Sequence, residues 1–364
     1  MKKAIALLSG GFDSLLAIKI MQKQGFEVLG LNVITPFCDT SAAARECSEM
    51  LGIECRFVHT DASYIELVRH PRYGYGKGVN PCLDCHLYMI HMAKKLFDEV
   101  GADIVITGEV LGQRPMSQQR HHLEMLEYHS GLKGRLIRPI CGQLLPPTEA
   151  ELTGIVDRSQ LYALSGRARA PLHQLGKELG IENPKNAMAG CVLTEISFAP
   201  RVRDLLRHET DRTEIWEYEL LRFGRHFRFD RTARVIMGRR EADCDALSAA
   251  FHEHAQNRDD VIYWEPNNYM GPSVMLIGRI DDETRRFALD LQVAYSKNAP
   301  KAPETILLDE YHKTEQTVVP FTPESRRPPR VDSLLTQSWI IEVRRSRILT
   351  CPSAGRMQAS SWLR

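Results

Sequence analysis

Six residues near the start, Ser9-Gly10-Gly11-Phe12-Asp13-Ser14, constrain this chain more than any other stretch. An apolar run, Ala4-Ile5-Ala6-Leu7-Leu8, precedes them, and Leu15-Leu16-Ala17-Ile18 follows. The pattern predicts a buried strand, a tight loop and a helix. Adjacent glycines let the backbone turn sharply and approach a ligand with no Cβ in the way. Ser9 and Ser14 add hydroxyl groups. The loop empties onto a helix N-terminus, whose free N–H groups and dipole attract an anion such as phosphate. An ordinary capped turn needs no such coincidence of Gly-Gly, two serines and an acid. No GxxxxGK[ST] loop occurs.

Strands and helices alternate after this loop. Residues 27–34, 54–58, 103–107 and 136–140 read as strands, the last cut short by Pro139. Residues 41–51 and the segment after His86 have helical spacing. The fold class is therefore α/β, a doubly wound parallel sheet. Ligands of such sheets sit at the carboxyl ends of the strands, where Ser9–Ser14 lies. Short helices fill 147–180, and 201–223 is helical and densely charged. From Arg234 the texture changes to short strands (234–238, 260–264, 273–278) with a helix over 282–295, an α+β module. The expected domains are 1–200, 201–320 and a basic tail, 321–364, in which eight arginines face Glu324, Asp332 and Glu342.

A net charge of +1 gives no global attraction to nucleic acid, so any such binding must be local. The apolar run after Lys2-Lys3 is too short for an export signal, and no stretch approaches a membrane span. Nine cysteines without such a signal read as cytosolic thiols. The expectation is a cytoplasmic protein with no membrane partner.

Three cysteines stand in loops that suit chemistry. Cys82-x-x-Cys85 has metal or redox spacing, and Cys191 lies in a small-residue loop of the same domain. Three thiolates match the protein ligands of a [4Fe–4S] cluster with one open iron. They also suit a persulfide relay, and His86 would complete a Cys3His zinc site. Cys38, Cys47, Cys55, Cys141, Cys244 and Cys351 have no such company, and Cys47 and Cys55 read as packing residues.

SGGFDS resembles the pyrophosphate-binding loop, or PP-loop, of the adenine-nucleotide α-hydrolase superfamily. Asn80-Pro81-Cys82-x-x-Cys85, Thr107-Gly108-Glu109 and Gly190-Cys191-Val192-Leu193-Thr194 resemble, in the same order, the catalytic segments of tRNA 2-thiouridylases and 4-thiouridine synthetases. The resemblance covers residues 1–200. It implies an AMP- and pyrophosphate-forming sulfurtransferase that adenylates a tRNA uridine and replaces its oxygen with sulfur. ATP with Mg2+ would be held by Ser9, Gly10, Gly11, Asp13, Ser14, Thr107 and Gly108. Asp13, Cys82, Cys85 and Cys191 would be catalytic, and a protein persulfide or sulfide would donate sulfur. Two departures mark a relative rather than an orthologue of the 2-thiouridylases. Val110 and Glu109 stand where TGHY is usual, and Lys185–Gly190 replaces a Pro-Ala-Gly-Gly stretch.

A second resemblance covers residues 218–312. Gly238-Arg239-Arg240, Trp264, Gly271-Pro272 and Tyr295-Ser296-Lys297 are similar in order to the NFACT-type RNA-binding domain. It implies phosphate contacts from Arg239, Arg240 and Lys297, with Trp264 and Tyr295 available for base stacking. Two rival classes stay open. One is a PP-loop ligase or amidotransferase acting on a small carboxylate, which needs no loop cysteines. The other is a non-catalytic RNA-binding iron–sulfur protein, which needs no intact SGGFDS.

Overall fold

The computed structural model describes residues 2–184, 190–299 and 305–323. Residues 185–189, Cys351 and almost all of the basic tail lie outside the described residues. The chain forms two compact units, Met1–Arg222 and a second that begins at Phe223.

The first unit is built on a five-stranded, all-parallel sheet in the order β3-β2-β1-β4-β5. Its strands are β1 (Lys2–Leu7), β2 (Phe26–Ile34), β3 (Cys55–His59), β4 (Ile104–Ile106) and β5 (Leu136–Ile137). Helices α1 (Phe12–Lys23), α2 (Ser41–Leu51), α3 (Ala62–Arg69), α4 (Cys82–Val100) and α5 (Arg120–His129) lie between or after them. Alternation along β1 divides the core. Ala4, Ala6 and Leu8 face one layer with Leu15, Leu16 and Ile18 of α1. Ile5 faces the other with Ile90, Ala93 and Leu96 of α4. Each such buried side chain stabilises the unit by about 1.5–3 kcal/mol. The strand order reverses direction between β1 and β4, so the crevice of the sheet opens there.

Four more helices complete this unit: α6 (Glu149–Leu152), α7 (Ala170–Leu179), α8 (Ala199–Arg207) and α9 (Ile215–Glu219). Val202 and Leu205 of α8, Tyr218 and Leu221 join Phe37, Tyr64, Val79 and Leu193 in one buried cluster. The unit therefore ends at Arg222 and not near residue 200. The charge density of 201–223 hides this apolar face.

The second unit is a six-stranded antiparallel sheet, ordered β11-β10-β8-β9-β7-β6. Its strands are β6 (Arg225–Arg228), β7 (Ala233–Met237), β8 (Val261–Pro266), β9 (Val274–Gly278), β10 (Ile306–His312) and β11 (Glu315–Phe321). Helix α10 (Glu241–Ala250) runs into a π-helical turn, and α11 (Asp282–Ala294) is closed at its start by a capping box from Asp281 and Thr284. Phe287 and Leu291 of α11 pack on Val235, Met237, Trp264 and Leu276.

Candidate functional site

A cavity of about 260 Å3 opens at the reversal point of the parallel sheet. Ser9, Gly11, Asp13 and Ser14 line it from the β1 side, and Thr107, Gly108 and Glu109 from the β4 side. Gly11 is the N-cap of α1, and no side chain caps that helix. Its first-turn N–H groups thus stay available to an anion. Ser14 Oγ instead donates to the Gly11 carbonyl (2.7 Å). Gly10 has a φ of 71°, and a Cβ there would stand 2.4 Å from Ala43 Cβ, so this glycine seats the loop on α2. Gly108 lets the β4 loop press on α1: its Cβ would lie 2.6 Å from Ser14 N. Both absent side chains make the cradle, and the donor set fits a phosphate chain. The Asp13 carboxylate takes Arg169 Nη1 at 2.9 and 3.1 Å and Gln113 Nε2 at 3.0 Å.

Cys82, Cys85 and Cys191 line the same cavity. The two cysteines of the CxxC stand in the first turn of α4. Asp84, between them, accepts from the backbone N–H of Arg72 and Tyr73 (2.9 and 3.1 Å), which folds the 71–80 loop onto the helix. That loop in turn holds the Cys191 segment. Val79 N donates to Leu193 O (3.0 Å), and at Gly78 any Cβ would meet the same carbonyl at 2.4 Å. Cys191 is brought back to the CxxC by backbone packing across more than a hundred residues.

The three thiols differ in state. Cys82 has His86 beside it, one helical turn along α4, close enough for the imidazole to act on its thiol. His86 Nδ1 lies 3.2 Å from Glu109 Oε1, and Glu109 Oε2 accepts from Arg138 Nε (3.0 Å) and Thr107 Oγ1 (3.0 Å). Burial opposes charge on each member, but the chain of partners overrides it. Cys82 falls to about 7, chiefly through His86 with Ser117 and Arg114 beside it. His86 rises to about 9 between Cys82 and Glu109. Glu109 drops to about 2 under Arg138 and His86. Cys85 is the opposite case: burial pushes it up to about 12, although Tyr64 Oη sits 3.3 Å from its sulfur.

Sequence reasoning missed Cys38 and Arg138, and gave Glu109 and His86 no part in setting the state of a thiol. Cys38, set aside as unaccompanied, lines the same cavity as Cys191. Glu109 and Arg138 follow two different strands, and only the folded sheet joins them. His86 was considered as a zinc ligand, yet it is engaged by Cys82 and Glu109. Among the described residues no group of three His, Cys, Asp or Glu side chains is arranged to hold a metal. Each thiol is instead paired with a different neighbour, so the donor set as it stands does not fit a cluster or zinc. Cys47 is buried in the core, and Cys55 packs against it.

In the second unit the motif segments gather at one end of the sheet. Gly238 N donates to Ser273 O (3.0 Å), and Gly271 packs against Ser296, where a Cβ would lie 2.1 Å from Oγ. The Arg240 side chain is 74% exposed although it reaches Asp243 at 3.6 Å, and Arg239 is drawn to the same carboxylate at 3.2 Å. Lys297 is exposed. Trp264 is fully buried with Nε1 bonded to Glu310 (2.7 Å), so it belongs to the core and offers no stacking face. Tyr295 stays at the surface, with the Arg225 guanidinium 4.7 Å from its ring centre.

Comparison with known proteins follows this division. Residues 1–143 match the family model of the thiamine biosynthesis protein ThiI, and residues 224–327 match that of the NFACT protein RNA binding domain. The two matches follow each other along the chain in that order. A probable tRNA sulfurtransferase of Methanothermobacter thermautotrophicus is 28% identical over 184 residues, 47% of this chain and 45% of that protein. A tRNA-specific 2-thiouridylase MnmA of Agrobacterium fabrum is 26% identical over 227 residues, 55% and 51% of the two chains. A 4-thiouridine synthetase–RNA complex with bound ATP aligns over 57% of this chain and 50% of its own, at 20% identity and a TM-score of 0.32. The chain spans about half or less of the curated relatives it matches.

Proposed function

We propose that this chain is an ATP-dependent sulfurtransferase that makes thiouridine in tRNA. The observation that carries the reading is the shared cavity: an uncapped helix N-terminus suited to phosphate and the thiols Cys82, Cys85 and Cys191 open onto one space. The similarity to tRNA sulfurtransferases and 2-thiouridylases supports it.

The substrate uridine carbonyl oxygen attacks the α-phosphorus of ATP, and pyrophosphate departs into the α1 cradle made by Ser9, Gly10, Gly11 and Ser14. Mg2+ bound with the nucleotide would offset its phosphate charge. Adenylation turns the oxygen into a leaving group. Sulfur delivered from a cysteine persulfide then attacks the carbon, and AMP leaves. Cys82 is the thiolate that first accepts sulfur from a donor persulfide, since His86 and Glu109 hold it ionised near neutral pH. Cys85, kept protonated, backs it. Arg239, Arg240, Lys297 and the Tyr295 face grip RNA phosphates and bases. The protein works in the cytoplasm.

A second reading is a [4Fe–4S] cluster on Cys82, Cys85 and Cys191, which share the cavity but would have to leave their present partners to hold it. One experiment separates the alternatives. Anaerobically purified protein, given ATP, tRNA and a sulfide or persulfide donor, should form a thiolated nucleoside with AMP and pyrophosphate. ADP and phosphate as products would refute the reading. Iron and sulfide near zero in a fully active preparation would exclude the cluster, and about four of each per chain would establish it.

A further inference from the structure

The loop 110–119 is long and polar, and neither the phosphate cradle nor the thiols use its tip. Gly112 N donates to Gln118 O (2.7 Å) and Gln118 N to Arg114 O (2.9 Å), so the tip is closed on itself and holds Arg114 in place. Arg114 is exposed and lines the cavity. Met116, also exposed, meets the loop 71–80: its Cγ lies 3.5 Å from where a Gly76 Cβ would stand. That second loop is closed by Gly76 N donating to Asn80 O (2.8 Å) and runs directly into Cys82. The two loops therefore meet at the thiol end of the cavity, which Asn80 also lines. Tyr75 and Lys77 are exposed on the second loop, and Arg203 of α8 donates to its Gly78 carbonyl (3.4 Å). Neither loop contains a carboxylate, and Glu195, whose backbone lies against Gly78, is the exposed acid beside them. Among the described residues the side chains of Arg114 and Lys77 make no hydrogen bond or ion pair. The rim is net positive, with a tyrosine ring and a thioether alongside its cations.

We propose that this rim is the entry for the substrate nucleotide: Arg114 and Lys77 hold RNA phosphates there, while one base turns out of its stack past Met116 and Tyr75 into the cavity. The proposal rests on the tRNA-thiolation reading and adds to it an RNA contact within the first unit. The thiols require such an entry. Cys82 and Cys85 open onto a space of about 260 Å3, which has no room for a stacked stem. A base reaches reactive groups in such a space only after it has left its stack. The phosphates on either side of it then stay at the mouth, where positive charge holds them in register. Arg138 cannot do this, because it is buried and spent on Glu109 (3.0 Å). Exposed rings and other flat or polarisable side chains support an unstacked base whatever its identity. The ring and the thioether thus favour a base over an acidic protein face, which the cations alone would also attract.

Two measurements on the full chain test this. In the first, tRNA is titrated across salt concentrations against the wild type, Arg114→Ala, Lys77→Ala and the double variant, with ATP titrated in parallel. The double variant should bind tRNA about tenfold more weakly, and each lost cation should flatten the slope of log K against log salt by about 0.7–0.9. Arg114→Lys, which keeps the charge, should keep the slope. Unchanged tRNA affinity and slope in the double variant would overturn the proposal. An ATP affinity that falls as far as the tRNA affinity would also overturn it, since Arg114 would then be a ligand of ATP. The second measurement places the photoreactive residue p-benzoylphenylalanine at position 116 and irradiates the protein with tRNA and ATP. The expected crosslink is to the unpaired stretch of tRNA that holds the thiolated uridine. A crosslink to a sulfur-donor protein in place of tRNA, or to a paired stem, would overturn the entry. The two readings fail separately. RNA crosslinked at an unpaired stretch, with no thiolated nucleoside formed from sulfide or persulfide, would refute the sulfur-transfer reading and leave the RNA entry standing. Thiolation by the double variant at the wild-type rate under limiting tRNA would refute the entry alone.

Discussion

The properties of Cys82 follow from residues that no local pattern links. Cys82 and His86 share a helix face, and their spacing is visible in the sequence. Glu109 and Arg138 come after β4 and β5, and become neighbours only because those strands pair in parallel. The sign of each contribution is set by its partners. His86 lies above its ordinary 6.5, so its pairing stabilises the fold fully below 6.5 and is lost as pH rises through about 9. Glu109 lies below its ordinary 4.5, so its pairing is present above 4.5 and is lost as pH falls through about 2. The thiolate–imidazolium form of Cys82 and His86 is therefore populated between about 7 and 9. Alkylation of Cys82, followed peptide by peptide, should rise through pH 7 while Cys85 stays unreactive. His86→Asn removes the stabilising cation and should move the Cys82 midpoint toward 9, the ordinary thiol value. An unmoved midpoint would show that His86 does not set the state of this sulfur. Cys38 was illegible for a related reason: the cavity wall it joins is completed by Cys191, more than 150 residues away.

Elements were legible where one signal dominated. α1 is apolar on most of its surface and follows Gly-Gly, and β1, β2, β4 and β5 carry buried runs while β3 is half-buried at the sheet edge, so sequence and structure agree. α3 has only eight residues, with Tyr64, Ile65 and Val68 as its buried face, too short for periodicity to stand out. α5 buries only Leu123 and Leu126 among charged residues and histidines. The β10–β11 hairpin buries Ile306 and Leu308 but exposes most of β11, which contains Pro320, and so reads as a polar linker. The contact of the β4 loop with α1 offers a sharper test of the element scale. A Cβ on Gly108 would first meet backbone atoms of Asp13 and Ser14, which cannot yield without shifting the helix start. Gly108→Ala should cost about 1–3 kcal/mol of stability, as overpacking does. It should also weaken ATP binding about tenfold, the equivalent of 1.4 kcal/mol. Gly25→Ala is the control: its φ of 81° strains an alanine, but nothing lies within 4 Å. That variant should lose stability and keep its ATP affinity. Equal ATP affinity in both variants would mean that the Gly108 contact does not shape the cradle.

At the scale of the whole molecule, the place where the chain can be divided is a physical statement about which apolar surface belongs to which unit. Composition suggested residue 200, because the charge density rises there. The buried cluster of Val202, Leu205, Tyr218 and Leu221 with Phe37 and Tyr64 moves the division to Arg222. The same cluster carries the Thr35–Cys38 turn and packs against Cys85 and Cys191. Cutting at 200 therefore strips one wall from the sulfur site, whereas cutting after Arg222 leaves it whole. A fragment of residues 1–222 should unfold cooperatively and bind ATP as the full chain does. A fragment of residues 1–200 should melt lower or fail to fold, since removing even one large core side chain costs about 2–5 kcal/mol. Loss of the second unit should weaken tRNA binding of the 1–222 fragment and flatten its salt dependence. Each lost phosphate contact lowers the slope of log K against log salt by about 0.7–0.9. Arg239, Arg240 and Lys297 are the groups expected to make such contacts. Thermal unfolding, ATP titration and tRNA binding across salt concentrations decide the matter. If the 1–222 fragment binds tRNA with the full chain's affinity and slope, RNA recognition resides in the parallel-sheet unit, and the basic end of the antiparallel sheet serves another purpose.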